Sequence, residues 1–157
     1  MFKKKFMLLV LLVFALPIVS YGETIKEYYS DGKLKIEATY KDGKKNGLAK
    51  EYDENGQLKR EYTWKDGKQD GPGKLYYDNG KLKAEAIWKN GKQNGPEKEY
   101  YENGKLKIEE TMKDGKKDGL GKDYYENGKL KREYTWKDGK PVGPAKEYDE
   151  KGQLKKH

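Results

Sequence analysis

The chain has 157 residues, 35 Lys and Arg against 27 Asp and Glu, a formal charge of +8, and no cysteine. Without thiols there are no disulfides, no thiolate metal sites and no cysteine nucleophile. The lysines are spread along the whole chain and mixed with glutamates, which describes a solvated surface and excludes the concentrated basic stripe of a nucleic-acid binder.

Residues 1–22 have the layout of a cleavable signal peptide. Lys3, Lys4 and Lys5 form a basic start, Phe6 to Val19 is an apolar run, and Ser20 and Gly22 are the small residues before a cleavage point at Glu23. A run of about 14 residues at about 1.5 Å each reaches about 21 Å, short of the roughly 30 Å hydrocarbon core. Pro17 also suits a cleavage region better than a helix continuing through lipid. The mature chain is therefore expected to start at Glu23 and to be secreted, periplasmic or associated with the cell surface. Losing Lys3, Lys4 and Lys5 takes the formal charge from +8 to +5.

From residue 23 to 157 one pattern repeats. Gly32, Gly56, Gly80, Gly104, Gly128 and Gly152 stand 24 residues apart, and Gly43, Gly67, Gly91, Gly115 and Gly139 keep the same step. So do Gly47, Gly71, Gly95, Gly119 and Gly143. A fixed period of this length marks a repeat array whose units bury their apolar faces against their neighbours.

Within a unit such as Lys50 to Lys74, Asn55-Gly56 lies between two strand-like runs and reads as a two-residue type I′ hairpin turn. Lys65 to Gly71 reads as a longer second turn, with a glycine at each end of a polar bend. The strand between them, Leu58 to Trp64, alternates with a period of two. The expected fold is all-β: an elongated, curved antiparallel meander of about eleven strands, built from hairpin repeats of about 24 residues.

A two-residue turn at Asn55-Gly56 sets Lys50 opposite Glu61, Tyr52 opposite Lys59 and Asp53 opposite Leu58. One face then carries Leu58, Arg60, Tyr62 and Trp64, with Trp88 and Trp136 in the later copies, and is the core candidate. The other carries Tyr28, Tyr52, Tyr76, Tyr100, Tyr124 and Tyr148 among the pairs Lys26–Glu37, Lys50–Glu61, Lys74–Glu85, Lys98–Glu109 and Lys122–Glu133. The tyrosine row and the three tryptophans together are the candidate binding surface. Tyrosine and tryptophan suit that role because they bring a large contact area at low entropic cost. Glu110 and Met112 interrupt the apolar pattern, so the fourth unit is expected to have the weakest core.

The run Tyr100-Tyr101-Glu102-Asn103-Gly104-Lys105-Leu106-Lys107, followed by Lys113-Asp114-Gly115-Lys116-Lys117-Asp118-Gly119, resembles the bacterial variant of the MORN repeat. The resemblance runs over nearly all of residues 24–156, as five full copies with partial ends. It implies stacked hairpins in an elongated antiparallel sheet, with roles in protein scaffolding, membrane-surface contact in eukaryotic relatives, and toxin neutralisation in some bacterial members. It brings no catalytic residues.

The residues themselves point away from an enzyme. The only histidine is the terminal His157, and the carboxylates recur in phase opposite lysines. The Asp/Asn-Gly turns lack the dense acidic run of a calcium loop, so neither a cofactor nor a metal is expected. The leading expectation is a protein partner held on a repeated surface. Attachment to anionic lipid or wall glycan and toxin neutralisation stand as alternatives, and no nucleic-acid partner is expected.

Overall fold

The computed structural model describes residues 22–156. The expected signal segment, apart from Gly22, and the terminal His157 lie outside the described residues. The strands are β1 (Glu23–Tyr28), β2 (Leu34–Lys41), β3 (Lys44–Tyr52), β4 (Leu58–Lys65), β5 (Lys68–Tyr76), β6 (Leu82–Lys89) and β7 (Lys92–Tyr100). They continue with β8 (Leu106–Lys113), β9 (Lys116–Lys117), β10 (Gly119–Tyr124), β11 (Leu130–Lys137), β12 (Lys140–Pro141) and β13 (Lys146–Glu147). All thirteen belong to one open antiparallel sheet whose hydrogen-bonded path runs β1 to β8, then β10, β11 and β12. The two-residue strands β9 and β13 pair with β8 and β11 off that path. The expected meander is what the chain forms.

The two turns have exchanged the geometries expected of them. At Asp53–Gln57, Gly56 N–H donates to the Asp53 carbonyl and Asp53 N–H donates to the Gln57 carbonyl, both at 2.9 Å. Gly56 has φ of 83°, whereas Asn55 does not have a positive φ. This is a three-residue loop: a type I turn closed by a left-handed glycine, not a type I′ turn. The tight I′ turn lies at Asp66-Gly67, with φ of 50° and 81°. Lys65 and Lys68 pair directly across it.

These geometries correct the register near the first turn. Lys50 pairs with Glu61 and Glu51 with Arg60, as a two-residue turn requires, but Tyr52 then pairs with Leu58 across a bulge. Tyr52 therefore does not face Lys59, nor Asp53 face Leu58. The slip is confined to the end of the hairpin, so the sorting of faces farther along is kept. A second irregularity lies between hairpins, where Tyr62 pairs with Gly73 but Trp64 with Gln69. Asp70, Gly71 and Pro72 thus stand opposite Thr63 alone, with Gly71 at φ of 121°.

Successive hairpins are tied along both edges. At the I′ edge Gly67, Gly91, Gly115 and Gly139 N–H groups donate to the carbonyls of Lys45, Gln69, Gln93 and Lys117, at 2.8–2.9 Å. At the other edge the Tyr29, Tyr77, Tyr101 and Tyr125 hydroxyls donate to the carbonyls of Tyr52, Tyr100, Tyr124 and Tyr148, at 2.6–2.8 Å.

The core is thin. Among the described residues only Ala38 and Met112 are buried hydrophobic side chains, with Glu110 the buried charged one. Tyr62, Trp64, Trp88, Tyr134 and Trp136 are half-buried. Tyr62 meets Trp88 edge-on at 6.2 Å, and Tyr134 meets Trp136 at 6.1 Å. Aromatic rings lying along one side of a single sheet take the place of a second layer.

Candidate binding surface

The face opposite the aromatic core carries three parallel rows. Its middle row is a charge ladder longer than the hairpin pairing alone implies. Lys26–Glu37, Lys50–Glu61, Lys74–Glu85, Lys98–Glu109 and Lys122–Glu133 pair within hairpins. Glu37–Lys50, Glu61–Lys74, Glu85–Lys98, Glu109–Lys122 and Glu133–Lys146 pair between them. Lysine and glutamate thus alternate without a break from Lys26 to Lys146. Lys26–Glu37 closes to 3.1 Å, Lys146–Glu133 to 3.4 Å, and Lys74–Glu61 and Lys98–Glu109 to 3.6 Å. Exposed pairs of this kind contribute at most about 1 kcal/mol each. Their main effect is to fix which strand faces which.

Beside the ladder runs the tyrosine row. Tyr28 is 57% exposed on the edge strand β1. Tyr52, Tyr76, Tyr100, Tyr124 and Tyr148 are half-buried. The Tyr76 hydroxyl donates to Glu61 at 2.8 Å and the Tyr100 hydroxyl to Glu85 at 2.7 Å. Partial burial, together with the accepting carboxylate, pushes both phenols up to about 12. Tyr76 and Tyr100 are therefore neutral at ordinary pH with their hydroxyls already committed to glutamates, so these two offer ring surface more than free hydroxyls.

The third row is apolar and is missing from the sequence expectation. Leu48, Pro72, Pro96 and Leu120 stand 24 residues apart, each two residues before a ladder lysine and so on the same face. Ile87 pairs with Pro72 and extends the row. Leu48 is 44%, Ile87 39% and Leu120 47% exposed, and Pro72 and Pro96 are exposed as well. The 24-residue spacing was the available signal; the bulge glycines before these residues disguised the strand as a turn.

Trp64, Trp88 and Trp136 stand on the other face, separate from the tyrosine row. Lys45 Nζ lies 4.9 Å from the centre of the Trp64 ring and Lys117 Nζ 5.2 Å from that of Trp136. The indole N–H groups of Trp64 and Trp136 are buried and meet no acceptor among the described residues.

Glu110, the residue that interrupts the apolar pattern of the fourth unit, is enclosed by polar partners. It is only 5% exposed, and its carboxylate accepts from Lys117 Nζ and from the Tyr134 hydroxyl, each at 2.7 Å. The Tyr134 hydroxyl also lies 2.7 Å from Asp123, so its single proton is shared between the two carboxylates, and its phenol is held well above the usual tyrosine range by burial and by these two carboxylates. Glu97 pairs directly with Glu110 across the strands. Burial raises the Glu97 carboxyl above the ordinary range, and the charge of Glu110 adds to the effect. A buried, partnered polar cluster replaces the apolar contact that the other units make here.

Comparison with known families agrees with this geometry. The family model of the MORN repeat variant matches residues 24–42, 45–66, 69–90, 93–114, 117–138 and 141–157. No curated protein matches the chain at a significant level. MORN repeats are generally associated with protein or membrane-lipid binding and are typically non-catalytic. Six in-phase matches that follow the observed hairpins, over most of its length, place the chain in the MORN repeat variant family.

Proposed function

We propose that the protein is an exported, non-catalytic array that binds a protein partner along the three-row face. The observation that carries this reading is the run of exposed Leu48, Pro72, Ile87, Pro96 and Leu120 parallel to the tyrosine row, with a self-neutralised ladder between them. Exposed apolar side chains bordered by polar residues are characteristic of interaction sites, and here Thr63 and Thr111 are the two residues that interrupt the row. The leader-like residues 1–22 support export, with Glu23 as the mature N-terminus.

The ladder argues against the alternative of adsorption to anionic lipid. Each inner lysine, Lys50, Lys74, Lys98 and Lys122, stands between two glutamates, which weakens the field that draws polybasic segments to a membrane. Attachment to wall glycan and toxin neutralisation draw on no observation of this surface beyond its aromatic rings.

The test is a binding series of the mature chain against envelope extract and candidate surface proteins. Deleting a whole unit, Tyr77 to Tyr100, is expected to weaken capture several-fold. Trp88→Ala is expected to lower stability with little effect on binding, and raising salt to change affinity little. Loss of binding on one point change, with every unit deletion still binding normally, would replace the array by a discrete site.

A further inference from the structure

We infer that the cleft between the second and third hairpins (β3–β4 and β5–β6) receives a tyrosine side chain from a peptide segment of a partner. The cleft opens on the side of the sheet that carries Arg60 and Leu75, opposite the three rows, so this inference goes beyond the array reading. At every other junction between hairpins along this edge, a tyrosine of one hairpin donates its hydroxyl to a carbonyl of the next: Tyr29 to Tyr52, Tyr77 to Tyr100, Tyr101 to Tyr124 and Tyr125 to Tyr148. At the second junction the equivalent position is Asp53. Its carboxylate is turned into its own loop, accepting from the N–H groups of Asn55 and Gln57 at 2.9 Å. The Tyr76 carbonyl, counterpart of those four acceptors, receives no side-chain donor among the described residues.

A second tie is missing at the same place. Lys33, Lys81, Lys105 and Lys129 each reach a tip carbonyl of the following hairpin, at 2.7–3.1 Å. The second hairpin has Gln57 at this position. The consequence is a cleft of about 700 Å³, bordered by Glu51, Arg60, Leu75, Tyr76, Tyr77 and Asp78.

The chemistry of the walls selects the occupant. Arg60 pairs with Glu51 and Lys59 with Asp78, each at 2.6 Å. Lys83 Nζ lies 5.5 Å from the centre of the Tyr77 ring. Arg60 and Lys59 are thus engaged within the protein, while Lys83 lies against the Tyr77 ring and the carboxylate of Glu102 stands on the same wall, which disfavours an anionic occupant. What the cleft offers is an acceptor carbonyl, a tyrosine ring and the volume left by an absent phenol. The space is larger than one ring, so the ring enters with the backbone that carries it. A neutral phenol donating to the Tyr76 carbonyl reproduces the contact made at the other four junctions.

N-acetyltyrosinamide is the probe, titrated into the whole array with amide shifts followed by NMR. The expected result is perturbation confined to Tyr76, Tyr77, Asp78 and their neighbours. Asp53→Tyr, which supplies the ring from within, is expected to weaken the probe at least fivefold and to raise Tm. Asp53→Asn, which keeps the loop contacts and the open cleft, is expected to retain binding.

Shifts spread evenly over all junctions, undiminished binding in Asp53→Tyr, tighter binding of the phosphorylated probe, or no shifts at its solubility limit would each overturn the proposal. If Asp53→Tyr does not fold, the shift map of the unaltered protein decides alone. Failure here with the unit-deletion series still positive removes the cleft and leaves the array reading in place.

Discussion

Gly73 and Gly121 show how strongly single positions are set by their neighbours. A Cβ on Gly73 would collide with the Tyr62 ring, and one on Gly121 with the Tyr134 ring. Neither glycine has the positive φ of the turn glycines, so both are required for space and not for backbone freedom. Gly73→Ala is expected to lower stability by about 1–3 kcal/mol, the usual cost of overpacking, read from the urea midpoint. Glu97, at the same position of the fourth unit, gives a pH-dependent case. Its carboxyl is raised in the fold, so its favourable contribution is full below the ordinary glutamate range and is lost as pH rises through the folded value. Glu97→Gln is therefore expected to raise the urea midpoint relative to the parent at pH 7, with the gap closing in acid. A fixed gap at all pH values would mean that Glu97 titrates normally. The sequence made Glu110 legible as an intruder on the apolar face. It did not show that Lys117 and Tyr134 would enclose it, because those partners come from other strands.

At the scale of the element, both turns of each unit carry a glycine after Asp or Asn, and the dipeptide alone does not distinguish them. Loop length distinguishes them: the three-residue form is the same whether Asp53 or Tyr29, Tyr77, Tyr101 or Tyr125 opens it, whereas Asp66 and Gly67 share the left-handed backbone of a two-residue turn. Asn55→Ala is accordingly expected to change stability by less than about 0.5 kcal/mol, the range of an ordinary surface change. Asp66→Val is expected to cost at least about 1–2 kcal/mol, since a β-branched residue tolerates the left-handed region poorly. A large loss at Asn55 would restore the type I′ assignment there. The charge pairs and the separation of the tyrosine row from the tryptophans were readable from the period of two. The bulges were not, because one skipped residue leaves the alternation on either side intact.

At the scale of the molecule, the hairpins pair with their neighbours in chain order, an architecture that the 24-residue glycine period is enough to imply. Deleting Tyr77 to Tyr100 joins Tyr76 to Tyr101 in phase, so the shortened array is expected to fold with an unchanged circular dichroism signal per residue. Its urea m-value should fall with the surface lost on shortening. The apolar row was harder to read, since Leu48, Pro72, Pro96 and Leu120 follow glycines that read as turn. The Lys–Glu ladder has a consequence for how such a chain grows. Each inserted hairpin brings one lysine and one glutamate to the row, so duplication of a unit lengthens the row without changing its charge or breaking its alternation. The decapeptides Lys59–Lys68 and Lys131–Lys140 are identical, as internal copying would leave them. Along this row the number of repeats is free to drift in evolution, and the length of the array can follow the size of whatever it holds.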